Sequence, residues 1–321
     1  MNFLRASTLS MNNETQIDPR LTDLKSGMVA IVGCANVGKS SLMNRILQEK
    51  VSIVSHVAQT TRNMIRGIFS EARGQLVFMD TPGVHKASYD LGRIMNKSAR
   101  ASIAGADVSM LVLDPSTKVW DEDSGWMRKL LRSEDGHLVF VFNKQDLKCE
   151  FEQKYRDCWQ RICDEVGKER PVVWMKVSAE TGEGIDDLLA LLFDAMPCGP
   201  ALFPEEMLTD FPRKIALADV VREKYFKVLR DEIPHDLAVR VDSIEEDEDH
   251  WTVYADIIIN RPSQKGIVIG HKGRLMRKVT REAELEIGEM YGVKVKLKLW
   301  VKVEKGWTKN HWILKQLGYV E

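Results

Sequence analysis

The sequence contains no run of the roughly 18 or more apolar residues that a membrane-spanning helix requires. A spanning helix is therefore excluded, although peripheral contact with a membrane is not. The first residues are polar, rich in Asn and Thr, and have no apolar core of the kind a signal peptide carries. Cysteine is scarce. The five present (Cys34, Cys149, Cys158, Cys163, Cys198) make an odd number, with no CxxC pair and no histidine at metal-ligand spacing. That pattern argues against a disulfide framework or a zinc site and leads us to expect a reduced, cytoplasmic protein. An excess of either charge is also missing, since 46 Lys and Arg stand against 47 Asp and Glu. What is present is a chain of 321 residues, 44% hydrophobic and 29% charged, long enough for two domains with a core each.

The near-neutral total hides a local imbalance. Residues 201–260 hold 7 basic against 15 acidic side chains, and residues 261–321 hold 14 against 6, so a segment of −8 precedes one of +8. A basic end of that strength suits a polyanion, with nucleic acid the first candidate.

The chain divides on composition. Residues 1–26 read as a mobile leader, with Met11 an alternative start. Residues 27–197 alternate short apolar runs with amphipathic stretches. Strands are expected at 28–32, 65–70, 76–80, 108–113, 138–143 and 172–178, with a closing helix at 184–196. Near-continuous Val/Ile/Leu/Phe runs alternating with helices predict an α/β doubly wound sheet, whose ligands bind beyond the carboxyl ends of the strands. Residues 198–212 hold Pro200, Pro204 and Pro212 and read as a semi-rigid linker. Residues 213–321 form the second domain.

The motifs of the first domain fall at its strand ends. Gly33-Cys34-Ala35-Asn36-Val37-Gly38-Lys39-Ser40 follows the first strand and leads into a helix starting with Ser41. A GxxxxGK[ST] string in that setting wraps backbone N–H groups around phosphates; Lys39 reaches the outer phosphates and the Ser40 hydroxyl can hold Mg²⁺. Gln59-Thr60-Thr61-Arg62 lies between this loop and the next motif, where a threonine hydroxyl could complete the Mg²⁺ shell and sense a third phosphate. Paired threonines in a loop also have an ordinary reading as turn chemistry. Asp80-Thr81-Pro82-Gly83 ends a strand; its Asp can hold Mg²⁺ and the Gly83 amide can meet a γ-phosphate oxygen. Asn143-Lys144-Gln145-Asp146 follows the fifth strand. The Asp146 carboxylate can accept from both the N1–H and the exocyclic amine of guanine, whereas adenine offers an acceptor and no amine at that edge. Asn143 would brace the loop, the Lys144 stem would lie along the base, and in Ser178-Ala179-Glu180 an amide near Ala179 could reach the guanine O6. Four of these motifs, in this order and each at the end of an expected strand, form a GTP/GDP-binding domain of the P-loop type.

Where many GTPases place a water-orienting Gln after the last of the DTPG residues, this chain has Val84, which cannot hydrogen-bond. Asn36 could instead help hold a monovalent cation such as K⁺ near the β/γ-phosphates, or be a loop-bracing amide.

In the second domain, 215–230 has helical period, strands are expected at 237–244 and 251–259, and the acidic run 245–249 reads as a solvated hairpin tip. Gly270-His271-Lys272-Gly273 then precedes a helix from Arg274 to about Tyr291 and a strand at 293–303. A GxxG loop between helices lets backbone approach a nucleic-acid backbone, with basic side chains at its middle positions meeting phosphates. This order within a basic segment makes an α+β KH domain of type II. Along the last strand, Lys294, Lys296, Lys298, Trp300 and Lys302 alternate with apolar residues, giving either an RNA-contacting face contiguous with the GxxG loop or a solvated face guarded against aggregation. His271 is a candidate contact by position only.

Together, Asn36-Val37-Gly38-Lys39-Ser40-Ser41-Leu42, Gln59-Thr60-Thr61-Arg62, Asp80-Thr81-Pro82-Gly83-Val84-His85-Lys86, Ser178-Ala179-Glu180-Thr181-Gly182 and the GxxG segment closely resemble the Era family of bacterial ribosome-assembly GTPases over residues 27–321. The resemblance implies a GTP-hydrolysing switch using Lys39, Asn36, Thr61 and Gly83, with Thr61 the Mg²⁺ ligand beside Ser40 and Asp80, and Thr60 the alternative. It implies a monomer whose KH domain binds the 3′ end of 16S rRNA in small-subunit maturation, with peripheral contact at the inner membrane as a further expectation. The rival reading is a non-catalytic RNA-binding scaffold in which guanine nucleotide is only structural. The phosphate loop departs from the family at Cys34 and Ala35, usually Arg-Pro, neither of which is a phosphate ligand.

Overall fold

The computed structural model describes residues 24–55, 57, 60–82, 91, 95 and 103–320. The first domain is a six-stranded sheet of β1 (Lys25–Val32), β2 (Ile65–Glu71), β3 (Gly74–Asp80), β4 (Val108–Leu113), β5 (His137–Phe142) and β6 (Val172–Lys176), in the order β2-β3-β1-β4-β5-β6. Strands β3, β1, β4, β5 and β6 are parallel. The doubly wound expectation is modified at one edge: β2 runs antiparallel to β3, because only Ala72 and Arg73 join them and so short a connection cannot make a parallel crossover. The sheet is also entered earlier than its apolar run suggests, since Lys25 and Ser26, assigned to the leader, already pair with Gly74 and Gln75.

Helices α1 (Lys39–Leu47), α2 (Asp121–Arg132), α3 (Glu152–Val166) and α4 (Ile185–Ala195) cover the sheet. Their apolar faces, among them Leu42, Met43, Met127, Leu130, Ile162 and Leu192, are fully buried against β1, β4 and β5. The Pro-rich segment 198–212 is no free tether. Gly199 donates to the Leu24 carbonyl at 2.8 Å, the Gln75 side chain takes the amides of Leu202 and Phe203 at 2.8 Å each, and Ile68 donates to the Leu208 carbonyl at 2.9 Å. The segment is thus tied to the sheet at three places, and at the open edge it pairs the Ile68 amide of β2, which would otherwise lie without a partner strand.

The second domain begins with α5 (Arg213–Val228) and the short α6 (Ile233–Asp236), followed by β7 (Ala238–Glu246), β8 (His250–Ile259), α7 (Pro262–Ile269), α8 (Arg274–Tyr291), β9 (Lys294–Val303) and α9 (His311–Gln316). The sheet order is β7-β8-β9, with β7 antiparallel and β9 parallel to β8. The acidic run makes the hairpin tip at 247–249, while its first two residues, Glu245 and Glu246, continue β7. Helices α5, α7 and α8 pack on one sheet face, where Leu217, Val268, Val279, Ala283, Ile287 and Leu297 form the core. A third cluster joins the domains: Leu91 and Met95, from the segment after Asp80, are buried with Ala238, Ile258, Trp307 and Leu314. Among the described residues no helix is long and apolar enough to cross a membrane.

Candidate nucleotide and RNA sites

Parallel strands bring the first-domain motifs to one edge. β1 and β3 are in register and the Thr81 hydroxyl donates to the Ile31 carbonyl at 2.8 Å, so the phosphate loop and the Asp80 motif leave the sheet side by side. The loop needs glycine twice. A side chain at Gly33 (φ +147°) would put its Cβ 2.5 Å from the Val112 carbonyl oxygen, and one at Gly38 (φ +95°) would lie 2.3 Å from Asn143 Nδ2. Lys39 is buried, its Nζ 2.6 Å from the Cys34 carbonyl and 3.1 Å from that of Gly33, and burial pulls its pKa below the usual lysine value. A buried ammonium on carbonyl oxygens is a charge that a phosphate would neutralise.

Three oxygens converge beside it. The Ser40 hydroxyl donates to Asp80 Oδ2 at 2.6 Å and stands 2.9 Å from Thr61 Oγ1, while the Ser52 hydroxyl adds a second bond to Oδ2 at 3.0 Å. Asp80 is completely buried, and burial raises its pKa despite the Ser40 and Ser52 hydroxyls and the nearby Lys39 charge. Its Oδ1 has no partner among the described residues. Hydroxyl, hydroxyl and carboxylate are a hard-oxygen set, and an orphaned carboxylate oxygen among them fits Mg²⁺. Of the two threonines only Thr61 faces this corner, because Thr60 Oγ1 donates to the Val57 carbonyl at 2.6 Å. Gly83 and Val84 lie outside the described residues.

At the other end, Asn143 braces as expected: Nδ2 donates to the Val37 carbonyl at 2.9 Å, and Oδ1 accepts from the Ala179 amide at 3.0 Å. That amide, assigned to the guanine O6, is thus held by Asn143 in this structure. Asp146 Oδ1 accepts from the Ser178 hydroxyl at 2.5 Å, which fixes one carboxylate oxygen and leaves the group at the cleft. Lys144, at φ +61°, pairs with Asp114 at 2.5 Å. A cleft of about 1390 Å³ joins Lys39, Ser40, Thr61, Asn143, Asp146 and Ala179, and extends to Glu223 and Lys227 of the second domain. Ser41 and Glu180 also line it, while Val37 contributes its carbonyl and a buried side chain.

Several residues of this site escaped the sequence reading. Arg45 of α1 donates through Nε to the Ala179 carbonyl at 2.8 Å and through Nη2 to that of Glu180, tying the phosphate-loop helix to the guanine loop. Asp114 had a signal, an acid at a strand's carboxyl end, whereas Arg45 had none. Cys34, placed where the related loops carry arginine, donates its thiol to the buried Asp123 at 2.9 Å, and burial raises the thiol's pKa, so it is an anchor for the loop and not a nucleophile.

In the second domain, Gly270 (φ +74°) has no room for a side chain, since a Cβ there would lie 2.6 Å from that of Leu275. His271, Lys272 and Arg274 are exposed around the turn, and Ile267, half-exposed on α7 just before it, is an apolar neighbour that the sequence reading passed over. The basic strand requires a correction. Leu297 is packed among the helices, so Lys294, Lys296, Lys298, Trp300 and Lys302 point to the opposite sheet face and are not contiguous with the GxxG turn. There Lys302 pairs with Asp256 at 2.6 Å, Lys298 lies 4.6 Å over the Tyr254 ring, and the Trp300 and Tyr254 rings are parallel, 6.1 Å apart.

Residues 28–144 match a family model described as "50S ribosome-binding GTPase", and residues 232–308 match one described as "KH domain". Curated relatives include GTPase Era of Geobacter sp. (strain M21), 39% identical over 298 residues covering 92% of this chain and 98% of that protein. GTPase Era of Crocosphaera subtropica is 35% identical, covering 97% and 98%. Among solved structures, Era in complex with MgGDPNP and nucleotides 1506–1542 of 16S ribosomal RNA superposes with a TM-score of 0.84 at 32% identity, over 93% of this chain and all of that one. A variant of Aquifex aeolicus Era bound to GDP and AlF4⁻ gives the same TM-score, identity and coverages.

Proposed function

Since the chain belongs to the Era family of GTPases, we propose that it is a GTP-hydrolysing switch whose KH domain binds the 3′ end of 16S rRNA during maturation of the small ribosomal subunit. The observation that carries this reading is the likeness of the whole chain, both domains together, to an Era bound at once to MgGDPNP and to that RNA. The protein works as a monomer in the cytoplasm.

The chain's own groups divide the work of hydrolysis. Asp146 selects the base, Asn143 and Arg45 hold the two loops that meet it, and Lys39 binds the outer phosphates. Ser40, Thr61 and Asp80 would hold Mg²⁺, which supplies positive charge to the β- and γ-phosphates. With Val84 in place of the usual glutamine, water is oriented by other groups, and Asn36, at φ +62° in the phosphate loop, contributes to a K⁺ site there. Hydrolysis is then expected to run about tenfold faster in potassium than in sodium buffer, and Asn36→Ala to remove that difference. Equal rates in the two salts would end the potassium assignment.

RNA binding couples to the nucleotide only through a difference in affinity between the two states. An RNA carrying the 16S 3′-terminal sequence is expected to bind about tenfold more tightly with GDPNP than with GDP. Lys272→Glu should weaken binding in both states by a similar factor, since it opposes a phosphate and leaves the first domain untouched. Equal affinities in the two nucleotide states, measured by fluorescence anisotropy, would refute the switch.

A further inference from the structure

Thr61 lies in a stretch that is neither helix nor strand, yet its hydroxyl must be placed to within a fraction of an ångström of the Ser40–Asp80 corner. The upstream part of this stretch is held by the first domain, where Asn44 takes the amides of Val51 and Ser52 and donates to the Ser52 carbonyl. The residues on either side of Thr61 are held by the second domain. Before it, the Thr60 carbonyl accepts from Arg222 Nη2 of α5 at 2.8 Å. After it, the buried Arg62 guanidinium donates to the carbonyls of Leu237 at 2.8 Å, Pro234 at 3.0 Å and His235 at 3.2 Å.

Arg222 is itself restrained. It is 1% exposed, pairs with Asp219 at 2.8 Å and donates to the Tyr319 hydroxyl at 2.6 Å, with Phe226 and Tyr319 rings about its guanidinium. Two guanidinium groups thus share one buried site with, among the described residues, one ion-paired carboxylate, Asp219, and Arg62 Nε, Arg222 Nε and Asp219 Oδ2 have no partner among those residues. Such a cluster is held together by the docking of the two domains and gives little stability by itself, because buried charge is only partly compensated. Its geometry does one specific thing: it fixes the carbonyl one residue before the metal-facing threonine.

We propose that Arg222 is a positioning residue for GTP hydrolysis. Docked, its guanidinium holds the Thr60 carbonyl so that the Thr61 hydroxyl stands at the metal corner; displaced, it lets that hydroxyl leave. Metal-dependent chemistry in the first domain is thereby conditional on the placement of α5, at the root of the KH domain. This deepens the switch reading above and rests on it.

The test uses the full-length protein with Arg222→Gln, Arg222→Lys and Tyr319→Phe, each alone and with Thr61→Ala. Measured are GTP turnover against Mg²⁺ concentration and GDP affinity without Mg²⁺. Arg222→Gln is expected to raise the Mg²⁺ requirement and lower kcat by about tenfold each, while GDP affinity stays within about twofold. Arg222→Lys should recover part of the loss, and Tyr319→Phe, which removes one hydroxyl, should move the same quantities by about threefold. In the Thr61→Ala background these effects should vanish, since Arg222 acts only through that residue. Wild-type Mg²⁺ dependence in a folded Arg222→Gln protein overturns the proposal, as does an Arg222→Gln effect that persists without the Thr61 hydroxyl. Should Arg222→Gln not fold, an unaltered Mg²⁺ profile for Tyr319→Phe overturns it equally. A wild-type protein with no Mg²⁺-dependent GTP turnover would instead fail the underlying switch reading, a result distinct from either.

Discussion

Asp146→Asn is expected to lower affinity for GTP by about 100-fold or more and to let xanthosine triphosphate compete in its place. The carboxylate has two accepting oxygens, one of which already takes the Ser178 hydroxyl at 2.5 Å. Guanine brings two donors to this edge, N1–H and the exocyclic amine, so an amide N–H set against that amine faces donor with donor. Xanthine has a carbonyl where guanine has the amine and accepts from the new N–H. The hydroxyl of Ser178 can still donate to the amide oxygen, so the loop keeps its shape and the change isolates recognition from folding. Competition of a fluorescent guanine nucleotide by GTP, ATP and xanthosine triphosphate measures it. Unchanged preference for GTP would move base recognition away from Asp146.

The second large effect belongs to Lys39→Ala, for which triphosphate affinity and turnover should each fall by about 100-fold or more. The ammonium is buried on the carbonyls of Gly33 and Cys34, and burial already lowers its pKa. It therefore carries a desolvation cost that only an anion in the cleft offsets in full. Removing it deletes the contact to the outer phosphates while Asn143, Asp146 and Arg45 keep the guanine end intact. This substitution separates the switch from a scaffold with structural nucleotide. In a switch, the gain in RNA affinity produced by GDPNP disappears; in a scaffold, RNA binding by the folded variant equals that of the wild type. Calorimetry with GTP and Mg²⁺, followed by RNA titration of the same sample, reads both.

Much of the nucleotide site was legible because its contacts are local to strand ends. Each motif sits within a few residues of the apolar run that places it, and parallel register does the rest, as β1 and β3 show by delivering Lys39 and Asp80 to one edge. What escaped was what depends on two segments far apart in sequence. Arg45 on α1 meets the Ala179 loop 134 residues away, and nothing in a helix-forming run marks which arginine will do so. The last strand illustrates the same limit differently. Its alternation correctly separated a lysine face from an apolar face, but alternation does not say where a loop on another element lies. Only the packing of α7 and α8 on the Leu297 side shows that the lysines look away from the GxxG turn. The prolines of 198–212 marked a break in regular structure, while the hydrogen bonds that lay this segment along the sheet edge come from Gln75, Leu24 and Ile68.

Taken alone, the sequence determined the chemical vocabulary of this protein: a phosphate loop, a separate Asn143-to-Asp146 motif suited to guanine, hydroxyl and carboxylate side chains suited to a divalent cation, and a basic GxxG module, each motif written in residues close along the chain. The tertiary structure decided how those parts are coupled. It placed Thr61 between two anchors on the second domain, Arg222 at the Thr60 carbonyl and the carbonyls at the end of α6 that take the Arg62 guanidinium, contacts that span more than 150 residues and arise only when two separate cores dock. Short-range chemistry follows from residue type and spacing, whereas long-range coupling follows from which buried surfaces meet, and no local pattern encodes that.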